Sequence, residues 1–329
     1  MNNDQNKIYS MASFFAGVGG IDLGFEETGH FKTVYANEFD PYPVKTYELN
    51  FPIKVDARDV HDVDADDIPQ NDIMIAGFPC QAFSIAGYRQ GFEDTKGRGT
   101  LYFELVRIFT KKKPAVIFLE NVKNLVSHDH GNTFRVIIET LEQNGYHVKY
   151  AVLNAMNYGN TPQNRERIYI AAFRSESAYK NFEFPMPVQL SQGLNSVIDF
   201  DGKKEEKYYY TKGKYKGDIY EQLQAAMDDP QAVYQWRRKY VRKNQSGVVP
   251  TLTANMGEGG HNVPIIRTTD GQIRKLTPHE CFCVQGFPDD FKLPEDMADG
   301  RLYKQAGNSV CVSVIERIAE NIYEALETA

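Results

Sequence analysis

The sequence predicts an α/β fold with a largely parallel, doubly wound sheet. In the first half of the chain, short apolar segments rich in β-branched residues alternate with segments of helical periodicity, which is typical of parallel sheets with crossover helices. Pro41 stands where one helical segment begins and Gly145 where another ends, and both residue types are favoured at those positions. The length of 329 residues suggests about two domains.

The predicted elements of the first half follow one another as strand, helix, strand, helix. Six strands are expected, at residues 8–15, 33–36, 72–76, 115–119, 148–153 and 167–173. Four helices are expected among them, at residues 20–28, 41–49, 101–110 and 133–144. One more short strand is expected immediately before Asp59.

The alternation stops near residues 185–187, and the sequence predicts a smaller second domain after that point. Residues 188–275 are rich in Gly, Lys, Tyr and Gln and show little periodicity. A last helical segment at 310–326 carries one apolar face, formed by Val310, Val314, Ile318 and Ile322. The predicted parts are a first domain at 1–187 completed by a C-terminal helix at 304–329, a second domain at 188–275, and a connecting segment at 276–303.

Charge is unevenly distributed along the chain. The net charge is −7, yet residues 201–250 hold eleven Lys and Arg against seven Asp and Glu. The densest basic stretch, residues 236–243, also contains Trp and Tyr, and clustered basic residues are the electrostatic mark of nucleic-acid binding. Six aspartates lie between residues 56 and 67, and this acidic face should point away from any phosphate backbone.

The hydropathy pattern disfavours membrane and secreted proteins. No apolar run approaches the about 18 residues that cross a bilayer. Residues 1–7 are polar, unlike a secretory signal. The sequence therefore predicts a cytoplasmic protein without membrane contact.

The four cysteines do not form a recognisable metal or disulfide pattern. Cys281 and Cys283 are too close in sequence for a zinc half-site, and no pair of histidines follows them at finger spacing, so no metal site is expected. A disulfide framework is not expected in a cytoplasmic chain of this size. Cys281, Cys283 and Cys311 are therefore interpreted as small buried side chains, whereas Cys80 follows a predicted strand.

A glycine-rich turn after the first strand indicates a cofactor site. Gly17 and Gly19 lie where the strand runs into a helix, so the backbone can approach a ligand and the helix offers free N–H groups. Asp22 replaces the third glycine of the dinucleotide fingerprint, which disfavours a nicotinamide-dependent dehydrogenase. Glu38 follows the second strand, where such folds bind ribose hydroxyls, and Asp59 can accept from an adenine amino group. This order of signals predicts a nucleoside cofactor.

Three kinds of reactive group are expected to meet at the carboxyl edge of the sheet. Cys80 follows the strand at 72–76, and a cysteine between a strand end and a helix start can have a favoured thiolate. Glu120 ends the next strand, and Arg165 and Arg167 lie on one side of the extended segment that enters a third strand. A thiol, a carboxyl group and two guanidinium groups are thus predicted to converge.

Six motifs, in this order, resemble those of DNA cytosine-5 methyltransferases. They are the turn at 15–20, Pro79-Cys80-Gln81, Glu120-Asn121-Val122, the Gln-x-Arg-x-Arg element at 163–167, the segment at 274–288, and Gly307-Asn308-Ser309-Val310. The resemblance covers the chain except residues 188–250, and it is most like the short bacterial enzymes of restriction–modification systems. It implies an S-adenosylmethionine-dependent, Rossmann-like methyltransferase fold with a mixed, mostly parallel sheet, in which residues 188–275 form a smaller target-recognition domain.

The resemblance also implies roles for individual residues. Cys80 would attack C6 of cytosine, which makes C5 able to take a methyl group. Glu120 would protonate or hydrogen-bond ring N3 and the exocyclic amine, while Arg165 and Arg167 would hold the base from its O2 side and support the Cys80 loop. The target base must leave the duplex stack, and the glycine-containing segment at 84–99 would close over it.

The remaining implied contacts are with the cofactor and with DNA. The residues expected at S-adenosylmethionine are Phe15, Ala16, Gly17, Gly19, Gly20, Glu38, Phe39, Asp59, Val60, Phe78, Pro79, Leu101, Asn308, Ser309 and Val310. The residues expected at DNA are Ser84, Arg89, Arg98, Arg237, Arg238, Arg242, Thr251 and Thr253. Of these, Arg237, Arg238 and Arg242 are the candidates for reading base edges, because arginine paired with guanine is the commonest specific contact.

The expected partners are S-adenosylmethionine, which leaves as S-adenosylhomocysteine, and double-stranded DNA. The protein is expected to be a monomer in the bacterial cytoplasm, and on the nucleoid when it is bound to DNA. It is expected to share its target site with a restriction endonuclease without forming a stable complex with it. A tRNA cytosine-5 methyltransferase is one alternative, although the Cys-Phe-Thr of that relative is missing from the recognition region. A catalytically inactive DNA-binding relative is another. The target sequence, the methylated cytosine in it, the base that takes the C5 proton, and a solitary or phage role are left open.

Overall fold

The computed structural model describes residues 7–78, 101–215, 217–257 and 262–329. Its contacts divide the chain into two compact units. The first unit comprises Met1–Leu153, Glu166–Pro185 and Ile315–Ala329, and the second comprises Asn154–Arg165 and Met186–Val314. The domain boundaries given above for the recognition domain and its connecting segment stay a prediction.

The first unit alternates strands and helices, as the sequence predicts. Its strands are β1 (Tyr9–Phe14), β2 (Phe31–Asn37), β3 (Ile73–Gly77), β4 (Val116–Val122), β5 (His147–Asn154) and β7 (Glu166–Phe173). Its helices are α1 (Gly20–Glu26), α2 (Pro41–Asn50), α3 (Leu101–Lys112), α4 (Asn132–Gln143), α6 (Glu176–Asn181) and most of α10 (Val312–Glu327). Short 3-10 helices lie at Val60–Asp62, Ala65–Asp67 and Lys123–Gly131.

The six strands form one mostly parallel sheet in the order β2-β1-β3-β4-β7-β5. β1 runs parallel to β2 and to β3, and β3 runs parallel to β4. β7 is antiparallel to β4, and its first residues pair with the last residues of β4, Arg167 with Val122. The predicted α/β class with a mixed, mostly parallel sheet is confirmed.

The core of the first unit lies between this sheet and its helices. The central strands are apolar along their whole length, which is typical of strands covered on both faces, and the residues of β4 from Val116 to Leu119 are at most 1% exposed. On α3, Leu105 and Phe109 are one turn apart and both buried in this core. The face predicted on the last helix is also buried, at Val310, Val314, Ile318 and Ile322.

The second unit contains a sheet that the sequence does not reveal. The strands β8 (Tyr209–Tyr210), β9 (Tyr234–Trp236), β10 (Val241–Lys243), β12 (Ile265–Arg267) and β13 (Ile273–Lys275) form an antiparallel sheet in the order β10-β9-β12-β13-β8. Strands of two or three residues are too short for alternation between apolar and polar positions to stand out. A separate parallel pair joins β6 (Gln163–Asn164) to β11 (Val249–Pro250).

The helices of the second unit are short. They are α5 (Ala155–Tyr158), α7 (Ile219–Ala226), α8 (Pro278–Val284) and α9 (Asp299–Asn308), with 3-10 turns at Leu194–Ser196 and Glu206–Tyr208. In the described part of the chain, no helix combines the length and the apolar character needed to cross a membrane.

The prediction of a short strand immediately before Asp59 is wrong. The chain there makes a single bridge between Asn37 and Asp56 and then enters the 3-10 helix Val60–Asp62, which Asp59 caps by accepting the backbone N–H of His61. Aspartate at this position satisfies an otherwise unpaired N–H. The local capping preference therefore ends the extended segment.

A buried carboxylate joins four elements of the first unit. Asp22, on α1, is 1% exposed and accepts hydrogen bonds from Ser13 of β1 at 2.9 Å, Tyr47 of α2 at 2.9 Å and Thr33 of β2 at 3.3 Å. Burial raises the pKa of Asp22 to about 6, although the hydrogen bonds from Tyr47 and Ser13 act in the opposite direction.

Replacing Asp22 with asparagine should change how stability depends on pH. The pKa rises from 3.8 in the unfolded chain to about 6 in the folded one, so the folded state binds the proton more tightly. The contribution of Asp22 to the free energy of unfolding should then fall by about 3 kcal/mol as pH rises through about 4 to 6. Asp22→Asn lacks this loss, so its stability relative to the wild type should increase over the same range in urea titrations.

The matched control is Asp62→Asn, because Asp62 is an exposed aspartate. Its pH profile should run parallel to that of the wild type. Parallel profiles for Asp22→Asn and the wild type would contradict the assignment of a raised pKa to Asp22.

Candidate active site

The turn between β1 and α1 is held in an unusual backbone conformation. Phe15, Gly17 and Gly19 have φ values of +51°, +56° and +83°. A Cβ on Gly19 would lie 2.3 Å from the ring of Phe51, so no other residue fits there, whereas the nearest atom to a Cβ on Gly17 is 4.0 Å away. The turn is therefore packed on one side and open to a ligand at Gly17.

A carboxylate and an exposed aromatic ring follow β2 beside this turn. Glu38 accepts the backbone N–H of Gly17 at 3.0 Å and that of Asp40 at 2.9 Å. Burial raises the pKa of Glu38 despite these donors. Phe39 is 65% exposed, which is unusual for a side chain of this size. A buried carboxylate and an exposed apolar ring thus stand next to each other at the end of β2.

Hydrogen bonds from Asn37 hold the segment after the Asn37–Asp56 bridge at the edge of the sheet that carries Glu38. The buried Asn37 side chain donates to the carbonyls of Asp56 and Arg58, both at 2.9 Å. Asp59 is half exposed, and its carboxylate lies 2.5 Å from Nδ1 of His61. Val60 is buried. This segment brings Asp59 and Val60 to the edge that carries Glu38.

The end of β3 is held by Asn121, a residue with no predicted role of its own. Asn121 is buried and donates to the carbonyl of Phe78 at 2.8 Å. The ring of Phe78 is buried 5.7 Å from that of Tyr102 on α3, and Leu101, the first residue of α3, is half-buried. The signal in the sequence is an asparagine at the end of an apolar strand, where a buried amide must find partners.

Glu120 and Arg167 form a largely buried ion pair in the first unit. Nε of Arg167 lies 3.1 Å from Oε1 of Glu120, and the two side chains are 12% and 10% exposed. Glu120 pairs in register with Gly77 at the end of β3, three residues before Cys80 in the sequence. Of the reactive groups predicted to converge, the carboxyl group and one guanidinium group are in contact.

The Arg165 guanidinium binds three backbone carbonyls of the second unit. Its buried guanidinium donates to the carbonyls of Leu252 at 2.8 Å, Gly307 at 3.2 Å and Ser309. One side chain thereby joins the Thr-Leu-Thr element at 251–253 to the Gly-Asn-Ser-Val motif. Sequence spacing alone predicts the two arginines on one side of a strand, but Glu120 beside Arg167 and the three carbonyls at Arg165 belong to different units.

The segment at 251–253 and the segment at 307–309 also meet at Gly307. A Cβ on this residue would lie 2.2 Å from the backbone of Thr253, so only glycine allows the approach. Thr251 donates to the carbonyl of Asn164 at 2.6 Å, and Gln163 accepts the N–H of Leu252 at 3.3 Å. Asn308 is exposed at the end of α9, while Ser309 and Val310 are buried.

The basic stretch predicted at 236–243 forms the β9–β10 hairpin of the second unit. Residues 237–240 are exposed, and Arg238 has a φ of +66° in this turn. Arg237 donates to the Asn262 side chain at 3.1 Å, and Arg242 donates to Gln235. The exposed turn presents positive charge to solvent.

Several predicted site residues lie outside the described residues: Pro79, Cys80, Ser84, Arg89 and Arg98. The structure brings together the glycine turn, Glu38 and the Asn37–Asp56 bridge, and separately Glu120 with Arg167. The three other cysteines, Cys281, Cys283 and Cys311, are free and buried, as expected.

Comparison with known proteins gives one family for nearly the whole chain. The model of the C-5 cytosine-specific DNA methylases matches residues 9–324. The Type II methyltransferase M.Bsp6I of Bacillus sp. (strain RFL6) is 58% identical over 316 residues, covering 96% of this chain and 99% of that protein. The Type II methyltransferase M.HhaI of Haemophilus parahaemolyticus is 39% identical, covering 95% of this chain and 93% of that protein.

Solved structures show the same fold at low sequence identity. A Spodoptera frugiperda DNMT2 mutant matches with a TM-score of 0.73 and 18% identity, covering 96% of this chain and 99% of that one. A prophage-encoded putative DNA modification methyltransferase from E. coli matches with a TM-score of 0.67 and 22% identity, covering 97% and 99%. These likenesses concern the fold alone.

Replacing Gly307 with alanine should destabilise the second unit. The added Cβ would clash with the Thr253 backbone at 2.2 Å, and backbone cannot move aside as a side chain can. We expect a loss of about 3 kcal/mol or more in the free energy of unfolding, measured by urea titration. Gly300→Ala is the matched control on the same helix, because nothing lies within 4 Å of its Cβ position.

The control should change stability by less than about 1 kcal/mol, in the stabilising direction that helix propensity favours. Equal stabilities for Gly307→Ala and Gly300→Ala would contradict the close approach of the two segments.

Proposed function

The chain belongs to the C-5 cytosine-specific DNA methylases, and from this premise we propose that it transfers a methyl group from S-adenosylmethionine to C5 of cytosine within a short specific sequence of double-stranded DNA. The observation that carries the proposal is the ion pair of Glu120 with Arg167 at 3.1 Å, in register with the end of the strand that leads to Cys80. A flipped-out cytosine needs a nucleophile and a group for its N3 edge at the same place.

The reaction proceeds through a covalent bond between the protein and the base. Cytosine C5 is too weakly nucleophilic to attack a sulfonium methyl group directly. The thiolate of Cys80 adds to C6, and the ring becomes an enamine whose C5 can take the methyl group. Removal of the C5 proton then re-forms the double bond and expels the Cys80 thiolate. The protein is thereby regenerated.

Glu120 binds the N3 edge of the base in this proposal. Its carboxylate has the Arg167 guanidinium on Oε1, which fixes its orientation before the base arrives. Hydrogen bonding or proton transfer at N3 draws electron density away from C6 and favours thiolate addition. Arg165 is proposed as a positioning residue, because its guanidinium holds three carbonyls in the second unit.

The residues of the glycine turn fit a nucleoside cofactor. Glu38 stands at the end of β2 against Gly17, the space over Gly17 is open, and Phe39 is exposed. These residues, with Asp59 and Val60, would hold the ribose and adenine. S-adenosylmethionine supplies an electrophilic methyl group when it is bound. Phe15, Ala16, Gly19, Gly20, Phe78, Leu101, Asn308, Ser309 and Val310 complete the proposed set.

The second unit is proposed to read the DNA. The exposed β9–β10 hairpin supplies Arg237, Arg238 and Arg242 for phosphates and base edges, while Thr251 and Thr253 face the flipped nucleotide's backbone. The relatives named as Type II methyltransferases support a role in a restriction–modification system, where methylation protects host DNA. We propose that the protein acts as a monomer in the bacterial cytoplasm, on the nucleoid, without a stable complex with the endonuclease.

Glu38→Gln should weaken cofactor binding. The amide removes one charge-assisted hydrogen bond and places an NH2 group against the N–H of Gly17 or Asp40. We expect the dissociation constant for S-adenosylmethionine to rise about 10- to 100-fold in calorimetric titrations. Glu27→Gln, at the exposed far end of α1, is the matched control and should bind normally. Equal affinity for both variants would remove Glu38 from the cofactor site.

Cys80→Ala should abolish methyl transfer while leaving DNA binding largely unchanged. The measurement uses labelled S-adenosylmethionine and duplex DNA, followed by mapping of 5-methylcytosine in a genome treated in vitro. The wild type should methylate one short sequence, and the variant should give no methylation above background. Full turnover by the variant would overturn the covalent mechanism, and methylation of tRNA in place of DNA would overturn the proposed substrate.

A covalent adduct provides an independent test of the same step. In a duplex containing 5-fluorocytosine, fluorine at C5 cannot leave as a proton does, so the Cys80–C6 bond should persist. A shifted band is expected on a denaturing gel with the wild type and not with Cys80→Ala. An active enzyme without such a band would contradict the attack on C6.

A further inference from the structure

Three side chains with metal-binding atoms converge at α8 in the second unit. His279 and Cys283 are one turn apart on this helix and share a face. Gly286, with a φ of +81°, turns the chain after the helix, and the N–H of Phe287 returns to the carbonyl of Phe282. The turn brings Asp289 against the two helix residues, so that Nδ1, Sγ and a carboxylate oxygen lie within 4.8 Å of one another.

The hydrogen bond at Nε2 of His279 leaves the lone pair of Nδ1 available for a metal ion. Its Nε2 lies 2.9 Å from the carbonyl oxygen of Asp289, and a carbonyl can only accept, so the proton belongs on Nε2. The lone pair of neutral imidazole is then on Nδ1, which faces Cys283 Sγ at 3.6 Å. Metal-bound histidines almost always donate their other N–H to a carbonyl, a carboxylate or water in this way.

The two separations that involve Sγ agree with the edges of a tetrahedron, and the third donor pair lies within 4.8 Å. Bonds of about 2.3 Å from Zn²⁺ to sulfur and about 2.0–2.2 Å to nitrogen or oxygen place neighbouring donor atoms about 3.5 Å apart. The distances are 3.6 Å from Sγ to Nδ1 and 3.5 Å from Sγ to Oδ1 of Asp289. All three residues line a groove of about 1640 Å³, from which water can reach a fourth position.

We propose that His279, Cys283 and Asp289 bind one Zn²⁺ ion, with water as the fourth ligand. One thiolate, one imidazole and one carboxylate form a donor set that suits this ion. Binding breaks the S–H bond of Cys283, forms the S–Zn bond and releases the proton to solvent. The ion ties the end of α8 to the turn that follows it, and this role is separate from methyl transfer.

The experiment uses the full chain, stripped with a chelator and titrated with Zn²⁺ or Co²⁺. The Cys80→Ala background removes the other thiol expected to be reactive. With Co²⁺ we expect one equivalent bound, with the visible absorption of a tetrahedral site and a thiolate-to-cobalt charge-transfer band. Cys283→Ser should lose that band and weaken Zn²⁺ binding about 100-fold or more, beyond the effect of losing an outer-shell contact.

Two further variants distinguish the loss of a zinc ligand from the loss of a buried thiol and from unfolding. Cys311→Ser removes a buried thiol outside the cluster and should retain the band and the affinity. His279→Gln, at a half-buried position, should weaken binding as Cys283→Ser does while circular dichroism stays native. The proposal fails if the Cys80→Ala protein gives no charge-transfer band, or if Cys283→Ser and His279→Gln bind Zn²⁺ as tightly as Cys311→Ser. The cluster would then be a hydrogen-bonded triad.

Discussion

The parallel alignment of β1 to β4 is the constraint on which the first unit's site depends. Parallel strands end at one edge of a sheet, so the residues that follow them meet there although they are far apart in sequence. The glycine turn, Glu38 and Phe78 reach that edge in this way. β7 runs antiparallel to β4 and begins where β4 ends, so this antiparallel pairing delivers Arg167 to Glu120. A fully parallel sheet would place the start of that strand at the other edge.

Buried polar side chains hold the loops at this edge in place. Asp22 joins β1, β2, α1 and α2, Asn37 holds the segment at 56–58, and Asn121 holds the carbonyl of Phe78. In the second unit, Gln163 reaches the carbonyl of Val284 and the side chain of Gln285. A buried polar group without a partner is costly, so each of these side chains restricts the backbone segments that it contacts. The residues proposed to face a ligand are therefore positioned by neighbours that need not touch it.

How much of the structure the sequence could predict depends on how far apart in the chain the interacting residues lie. The apolar runs of β3 and β4 and the amphipathic pattern of α4 are local signals, and each element was predicted within a few residues. The proximity of Gly17 to Glu38 and of Glu120 to Arg167 followed from strand order. The partners of Arg165 did not, because they come from residues more than 80 positions away. The two- and three-residue strands of the second unit carry no period to detect. The grouping of His279, Cys283 and Asp289 depends on the turn at Gly286, which motif spacing does not encode.

The contacts of Arg165 also bear on how this fold can be re-engineered. One guanidinium ties residue 252, which follows the basic hairpin in the chain, to residues 307 and 309, and Gly307 packs on the Thr253 backbone. A chimera that transplants a foreign segment ending before Val249 would leave these junctions intact. A crossover placed between 249 and 257 would have to carry a compatible α9 with it. The contacts of Arg165 thus set where the exchangeable part of the proposed recognition segment must stop.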